Sequence, residues 1–439
     1  MTAPAPTAPL HPVVRRYPSK LFVEVTTRCN LLCPMCVKQT PGGGVEKGDL
    51  SADLFARLEP AFPTLDGLIL NGIGEPLLHQ GLEAFVERAK GMMPAHGDVA
   101  FQTNGTLLTP ERAERLVRAG VDRVCISLDA VSPSLARALR RGTELSVIEQ
   151  AFANLASAKQ RVGRGNPKVG LEFVVMRQNF AELPEVVSWA ADHGVSFIIV
   201  TQMLPYDASG VAATAHGTST DRALQLFAEW KGRAEAEGID LRRYSEVFMR
   251  YRRSAEEDRI VAFAGELLAE ARRRDIFLRL ETLLEDDALY KLVEAVFARA
   301  QAVATERGVQ LTLPRLAPSH VRACEFVEDG GAFVSWDGLV HPCYFLWHRY
   351  RCFIGGHEKR VKPLSFGSLE SGNLLEVWNG PRFAQFRAGV LRYDFPFCYD
   401  CRLALCDYAR DEDFEQDCYT NQVPCGACLW CTGLFHCLT

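Results

Sequence analysis

The stretch "LFVEVTTRCNLLCPMCVKQ" (residues 21–39) joins two kinds of signal. Its first six residues are a β-branched and aromatic run that reads as a strand. Directly after it come Cys29, Cys33 and Cys36, spaced C-x3-C-x2-C, so the trio falls on the loop at that strand's C-terminal end. Working outward, further strands are expected at 67–72, 98–103, 122–128, 169–175 and 195–201. Amphipathic helices such as "SADLFARLEPAF" (51–62) and "TPERAERLVRAG" (109–120) lie between them, the second ending in glycine as helices often do. Alternating strands and helices imply a parallel sheet with right-handed crossovers. Six such units make an α/β fold of the partial (β/α)6, TIM-type barrel class, with chemistry expected where the strands end.

The chain has 439 residues, 48% hydrophobic and 23% charged, with a formal charge of −5. These are values of an ordinary globular protein, and they argue against nucleic acid as a partner. No apolar run approaches the length of a membrane span. Residues 1–18, rich in proline and alanine, read as a disordered arm and not a signal peptide. The barrel is expected over 19–207 and a helical connector with solvated charged faces over 208–320, its segment 309–316 returning to the sheet as an added strand. A small Cys-rich domain is expected over 321–439, where turns dominate and regular structure looks sparse. Fifteen cysteines clustered at two places, without an export signal, favour metal ligation in a reducing cytoplasm over disulfides.

Both spacings in the front trio are compatible with zinc, but a structural zinc wants four ligands, and no fourth Cys or suitable His follows closely. A [4Fe–4S] cluster on three thiolates leaves one iron open instead. C-x3-C-x2-C after a first strand resembles the radical SAM superfamily. The resemblance implies that S-adenosylmethionine (SAM) chelates the open iron and that an electron from the cluster cleaves it to a 5′-deoxyadenosyl radical. Further stretches at strand ends resemble the family's SAM site: "NGIGEP" (71–76) with Gly74 and Glu75, "QTNGTLL" (102–108) with Asn104, and "SLDA" (127–130) with Ser127 and Asp129. In "RRGT" (140–143), Arg141 is the arginine expected near the cofactor. Taken alone, Asn104-Gly105 is also a hairpin-turn signal and Asp129 a possible helix cap. Met35 stands where family members usually set an aromatic residue against the adenine. Cys125 reads as a buried core thiol.

Eleven cysteines lie from Cys324 to Cys437. Cys324, Cys343 (in a G-x4-C pattern from Gly338) and "CYDCRLALC" with Cys398, Cys401 and Cys406 resemble the SPASM domain, an auxiliary iron–sulfur module of radical SAM enzymes that modify peptides and proteins. Two fully ligated auxiliary [4Fe–4S] clusters need eight of these eleven thiols and three would need twelve unless the last kept an open iron, so two are expected. One is expected on Cys324, Cys343 and Cys418, the other on Cys398, Cys401, Cys406 and one or both of Cys425 and Cys428. Cys352, Cys431 and Cys437 stay unassigned, and a zinc knuckle in "CGACLWC" (425–431) is the alternative. Trp378 and Phe383 are expected as core residues.

The expected function is a radical SAM enzyme acting on a peptide or protein substrate. The tail resembles maturases of metalloenzymes such as tungsten oxidoreductases. A ferredoxin or flavodoxin is the expected reductant. With the barrel starting near residue 20, no leader-peptide-binding domain is expected before it. The alternative is a non-catalytic electron-transfer or cluster-delivery protein, which explains the thiols but not the strand-end motifs.

Overall fold

The computed structural model describes residues 15–39, 45–355, 357–401, 406, 410–413 and 415–438. Six strands follow one another in parallel: β1 (Lys20–Val23), β2 (Gly67–Ile69), β3 (Asp98–Thr103), β4 (Arg123–Ser127), β5 (Lys168–Val175) and β6 (Phe197–Gln202). β7 (Gln310–Thr312) adds in parallel to β6, Ile198 opposite Leu311. β8 (Gly331–Val334) adds in parallel to the other edge, Phe22 opposite Phe333, and carries antiparallel β9 (Leu339–His341). A separate hairpin, β10 (Tyr350–Ile354) with β11 (His357–Val361), stands outside this sheet, and β12 (Gly367–Ser368) closes the order next to β9.

Alternation along each strand divides the interior into two layers. Leu21, Leu68, Phe101, Val124, Phe173 and Val200 face the helices in the main core. Phe22, Ile69, Ala100, Cys125 and Phe333 face inward, where Tyr344 and Leu438 from the C-terminal region fill the space between them. Phe22, Phe333 and Trp347 pack around the Tyr344 ring with centroids 4.9–5.4 Å away. The C-terminal region therefore packs inside the half-barrel, on the inward face of the sheet.

Several local expectations change. "SADLFARLEPAF" is not one helix: an α-turn over Ala52–Ala56 gives way to a 3-10 helix over Glu59–Thr64, because Pro60 and Pro63 cannot continue an α-helix. Residues 1–14 of the expected arm lie outside the described residues, but 15–18 are pinned. Trp378 Nε1 donates to the Arg15 carbonyl at 3.0 Å and Asn379 Nδ2 to that of Arg16 at 2.9 Å. The connector is more than solvated helices. Asp221–Ala236 and Ala255–Arg273 enclose a core of their own around Phe227, Trp230 and Phe263, and the long helix Leu280–Arg307 runs from it into the main core through Val293 and Phe297. The region after Cys324 is not sparse either, since β8, β9 and β12 extend the main sheet. Gly338, with φ +80°, makes the turn between β8 and β9. Trp378 and Phe383 are buried in the main core, with the Arg387 guanidinium 3.7 Å from the Trp378 ring centroid. Among the described residues no helix is long and apolar enough to cross a membrane.

Candidate active site

A cavity of about 320 Å³ opens at the C-terminal ends of the strands, in the size range of small-molecule sites. Cys29, Cys33, Met35 and Cys36 line one side, and Gly74, Glu75, Asn104 and Ser127 contribute from the ends of β2, β3 and β4. The cysteine loop is held from several directions. The Cys36 amide donates to the Cys33 carbonyl at 3.0 Å, Leu32 N–H to the Arg141 carbonyl at 3.0 Å and Glu75 N–H to the Arg28 carbonyl at 2.7 Å. Leu31 N–H points at Cys29 Sγ from 3.5 Å. Burial pushes the Cys33 thiol up to about 11 and raises Cys36 as well.

Gly74 is required by close approach: a Cβ there would lie 2.2 Å from the Thr26 carbonyl oxygen and 2.6 Å from that of Arg28. Glu75 is a clamp. Its Oε1 accepts from Thr103 Oγ1 at 2.6 Å and Leu77 N–H at 3.0 Å, and its Oε2 from Asn104 N–H at 2.7 Å. Burial raises its pKa, and those three hydrogen bonds oppose the rise. Asn104 is thereby fixed, and its Nδ2 donates to Asn30 Oδ1 at 2.9 Å beside the cysteine loop. "TNG" is thus a strand-to-helix loop and not a hairpin turn.

Two residues fall elsewhere than expected. Arg141 is exposed, while Arg140 lines the cavity. Asp129 does not line it. Its carboxylate is buried, 2.8 Å from Arg140 Nε, and accepts from Val174 N–H at 2.8 Å. Of the two adjacent arginines, it is Arg140 that the buried Asp129 carboxylate holds at the cavity.

Other lining residues carry no motif signal. Glu172 points inward from β5, and burial pushes it up to about 7 while Arg140 opposes the rise. Gln202 is 1% exposed, and its buried Oε1 has no hydrogen-bond partner. Tyr344, Trp430, Phe435, His436 and Cys437 complete the wall. The tail is threaded onto β6 by backbone bonding, Gln202 N–H donating to the Leu434 carbonyl at 3.1 Å. Strand alternation makes an inward polar residue on β5 foreseeable, but nothing local announces the tail.

The rear thiols sort differently from their expected grouping. Cys324, Cys343, Cys425, Cys428 and Cys437 line one small pocket. Cys398 instead interacts electrostatically with Cys401, Cys406 and Cys418. Cys418 thus lies nearer Cys401 and Cys406 than its expected place with Cys324, and Cys425 and Cys428 lie beside Cys324 and Cys343. The sets interleave in sequence: Cys398 and Cys418 fall between Cys343 and Cys425. Burial pushes Cys324 and Cys398 each up to about 12. Among the described residues, no three His, Cys, Asp or Glu side chains converge on a single-ion site.

A half-barrel of parallel strands with three thiols at the mouth and a second thiol-rich region packed on its edge defines a class, and sequence comparison gives the same one. The model of the radical SAM superfamily matches residues 23–190, and that of the SPASM iron–sulfur cluster-binding domain matches 324–402. The chain belongs to the radical SAM superfamily, carries a SPASM domain and is an enzyme. Its cofactors are a [4Fe–4S] cluster with SAM and auxiliary iron–sulfur clusters. The chain is 29% identical over 422 residues to the tungsten-containing aldehyde ferredoxin oxidoreductase cofactor-modifying protein of Pyrococcus furiosus, covering 95% of this chain and 96% of that one. It is 30% identical over 215 residues to mycofactocin maturase MftC of Mycobacterium tuberculosis, 48% of this chain and about half (51%) of that one. The solved structure of Streptococcus suis SuiB bound to precursor peptide SuiA aligns over 88% of this chain and 70% of that one, at 13% identity and a TM-score of 0.49.

Proposed function

We propose that Cys29, Cys33 and Cys36 hold the [4Fe–4S] cluster that receives SAM, and that the chain modifies a peptide or protein in the maturation of a metalloenzyme of the tungsten oxidoreductase type. The observation that carries this is the cavity in which the three thiols face Gly74, Glu75, Asn104 and Ser127. The donor set fits the group: three sulfurs on one loop, an N–H aimed at Cys29 Sγ, and a backbone at Gly74 that leaves no room for a side chain. When bound, cluster and SAM supply hydrogen-atom abstraction by reductive cleavage of the sulfonium.

The chain's own residues position and enclose. Glu75 fixes Asn104 and the loop beside the thiols, and Gly74 lets the backbone pass close to the cysteine loop. Met35 offers a thioether wall and Ser127 a hydroxyl, while Arg140, anchored by Asp129, brings a buried cation to the cavity. Tyr344, Trp430 and Phe435 keep the inner end apolar, which shields a reactive intermediate from water. Cys324, Cys343, Cys425 and Cys428 would hold one auxiliary cluster and Cys398, Cys401, Cys406 and Cys418 the other. The substrate class is supported by the nearly end-to-end match with the Pyrococcus furiosus protein. A ferredoxin or flavodoxin supplies electrons, and a reducing cytoplasm suits a chain with fifteen cysteines.

The test is anaerobic isolation followed by dithionite and SAM. The reading expects about twelve irons per chain, three filled clusters of four, and formation of 5′-deoxyadenosine. Iron without 5′-deoxyadenosine favours an electron-transfer or cluster-delivery protein, and stoichiometric zinc with little iron refutes the reading.

A further inference from the structure

We propose that Glu24 and His348 are positioning residues for SAM, a buried pair through which the Cys-rich region sets the loop that carries Gly74 and Glu75. The inference rests on the SAM site of the reading above. Glu24 directly follows β1, and strand alternation turns its side chain inward, to the face that Phe22 occupies. It is 0% exposed. A carboxylate this far from water requires partners, and three reach it from outside β1. Ile73 N–H donates to Oε1 at 3.0 Å, and Trp336 N–H points at Oε2 from 3.5 Å. His348 Nε2 stands 2.9 Å from Oε2 and 3.1 Å from Oε1, the geometry of one N–H shared between both oxygens. Gly72 presses on the same side chain: a Cβ there would lie 2.3 Å from Glu24 Cγ and 2.6 Å from Oε1.

The loop over 71–75 is thereby gripped from two sides. At its far end Gly74 and Glu75 rest on the cysteine loop, against the carbonyls of Thr26 and Arg28. At its near end the Cys-rich region holds it twice. Tyr344 Oη donates to Asn71 Oδ1 at 2.7 Å, and His348 fixes the carboxylate that receives Ile73 N–H. Tyr344 and His348 lie one and five positions after Cys343, so a single short segment makes both contacts. Neither Glu24 nor His348 lines the cavity, and both therefore act through the loop and not by touching the cofactor. A loop held in its binding conformation leaves less ordering for the ligand to supply. Released from Glu24, it would have to be ordered by SAM itself, which lowers affinity without changing the chemistry of SAM once bound.

The experiment measures SAM binding to the anaerobically isolated holoenzyme by equilibrium dialysis, together with dithionite-driven 5′-deoxyadenosine formation at varied SAM. The parent is compared with His348→Phe, which keeps a ring against Trp347 (5.2 Å between centroids), and with His348→Gln, which restores an N–H donor. His348→Phe should raise Kd and KM for SAM about tenfold, the effect of losing one hydrogen bond to a carboxylate, with kcat at saturation within about twofold of the parent. His348→Gln should recover most of that affinity. Phe227→Leu, in the separate core of the connector helices, lowers stability away from the loop and should leave SAM affinity unchanged. An iron-replete His348→Phe with the parent's Kd overturns the proposal, as does a fall in kcat at unchanged KM or an equal loss of affinity in Phe227→Leu. If His348→Phe loses iron, Glu24→Gln, which keeps a carbonyl for Ile73 N–H, is measured in its place against the same expectation. Loss of iron there too overturns the proposal. A parent that binds no SAM refutes the underlying reading itself, whereas a binding parent with equally binding variants refutes only the positioning role.

Discussion

The two cysteine fields are built on opposite plans. In the front field three thiols within eight residues share one loop, and that loop is fixed by the strand before it and by Glu75, Gly74 and Asn104 from the next two strand ends. In the rear field the proposed sets draw on distant segments: Cys324 and Cys343 line one pocket with Cys425 and Cys428, while Cys398 and Cys418 fall between them in sequence. Local spacing specifies the first, while only the tertiary fold specifies the second. A thiol trio with neighbours on a rigid sheet can keep one side open to a cavity. A set gathered from distant segments closes on itself and staples them, so binding there is folding free energy.

The contrast can be broken in four ways, from the largest expected effect to the smallest. Replacing Cys29, Cys33 and Cys36 together by Ala should reduce 5′-deoxyadenosine formation to background, yet leave about eight irons and a folded chain; measurable turnover would place the open cluster elsewhere. In the rear field, Cys418→Ala should disturb only the cluster of Cys398 and Cys425→Ala only that of Cys324, each with a loss of thermal stability. Coupling tests the sorting: Cys418 with Cys401 should be non-additive in melting temperature, Cys418 with Cys324 additive. The reverse pattern would restore the grouping suggested by sequence.

Glu75→Ala removes the acceptor of two buried N–H groups and one hydroxyl, a loss on the order of 3 kcal/mol in unfolding free energy. Glu75→Gln, which keeps a carbonyl acceptor, should lose less. Equal denaturation midpoints for parent and Glu75→Ala would refute the clamp. The smallest effect concerns Glu172. Its folded pKa of about 7 lies above the ordinary value of 4.5, so the native state holds the proton over that interval while the unfolded chain has released it. Stability from this group is therefore present at low pH, falls as pH rises from about 4.5 to about 7, and is flat above. Glu172→Gln should flatten that slope in urea midpoints measured at pH 5 and 7.5, and an unchanged slope would contradict the assignment.

How far the sequence could be read follows the same division. The six parallel strands were legible because each is a short β-branched run bounded by turn or helix signals, and the strand-end motifs came with them. Arg140 was missed for Arg141 since adjacent arginines differ only in which one meets the buried Asp129, a tertiary fact. The sheet's extension by β8 was hidden because Gly331–Val334 is four residues long and its partner, β1, lies some 310 positions earlier. The tail's place inside the barrel, with Leu438 buried and Cys437 in the cavity wall, depends on pairing with β6 and leaves no periodic trace. Pro60 was the exception, a visible breaker inside a segment expected to be one helix.

The central claim is that one cluster is open at the strand ends while the others are closed, and EPR of the reduced holoenzyme with and without SAM tests it most directly. The account predicts several cluster signals of which a single one changes on adding SAM, that one being absent from the Cys29, Cys33 and Cys36 variant. Signals that all ignore SAM, or a SAM-responsive signal that survives loss of those three thiols, would contradict it.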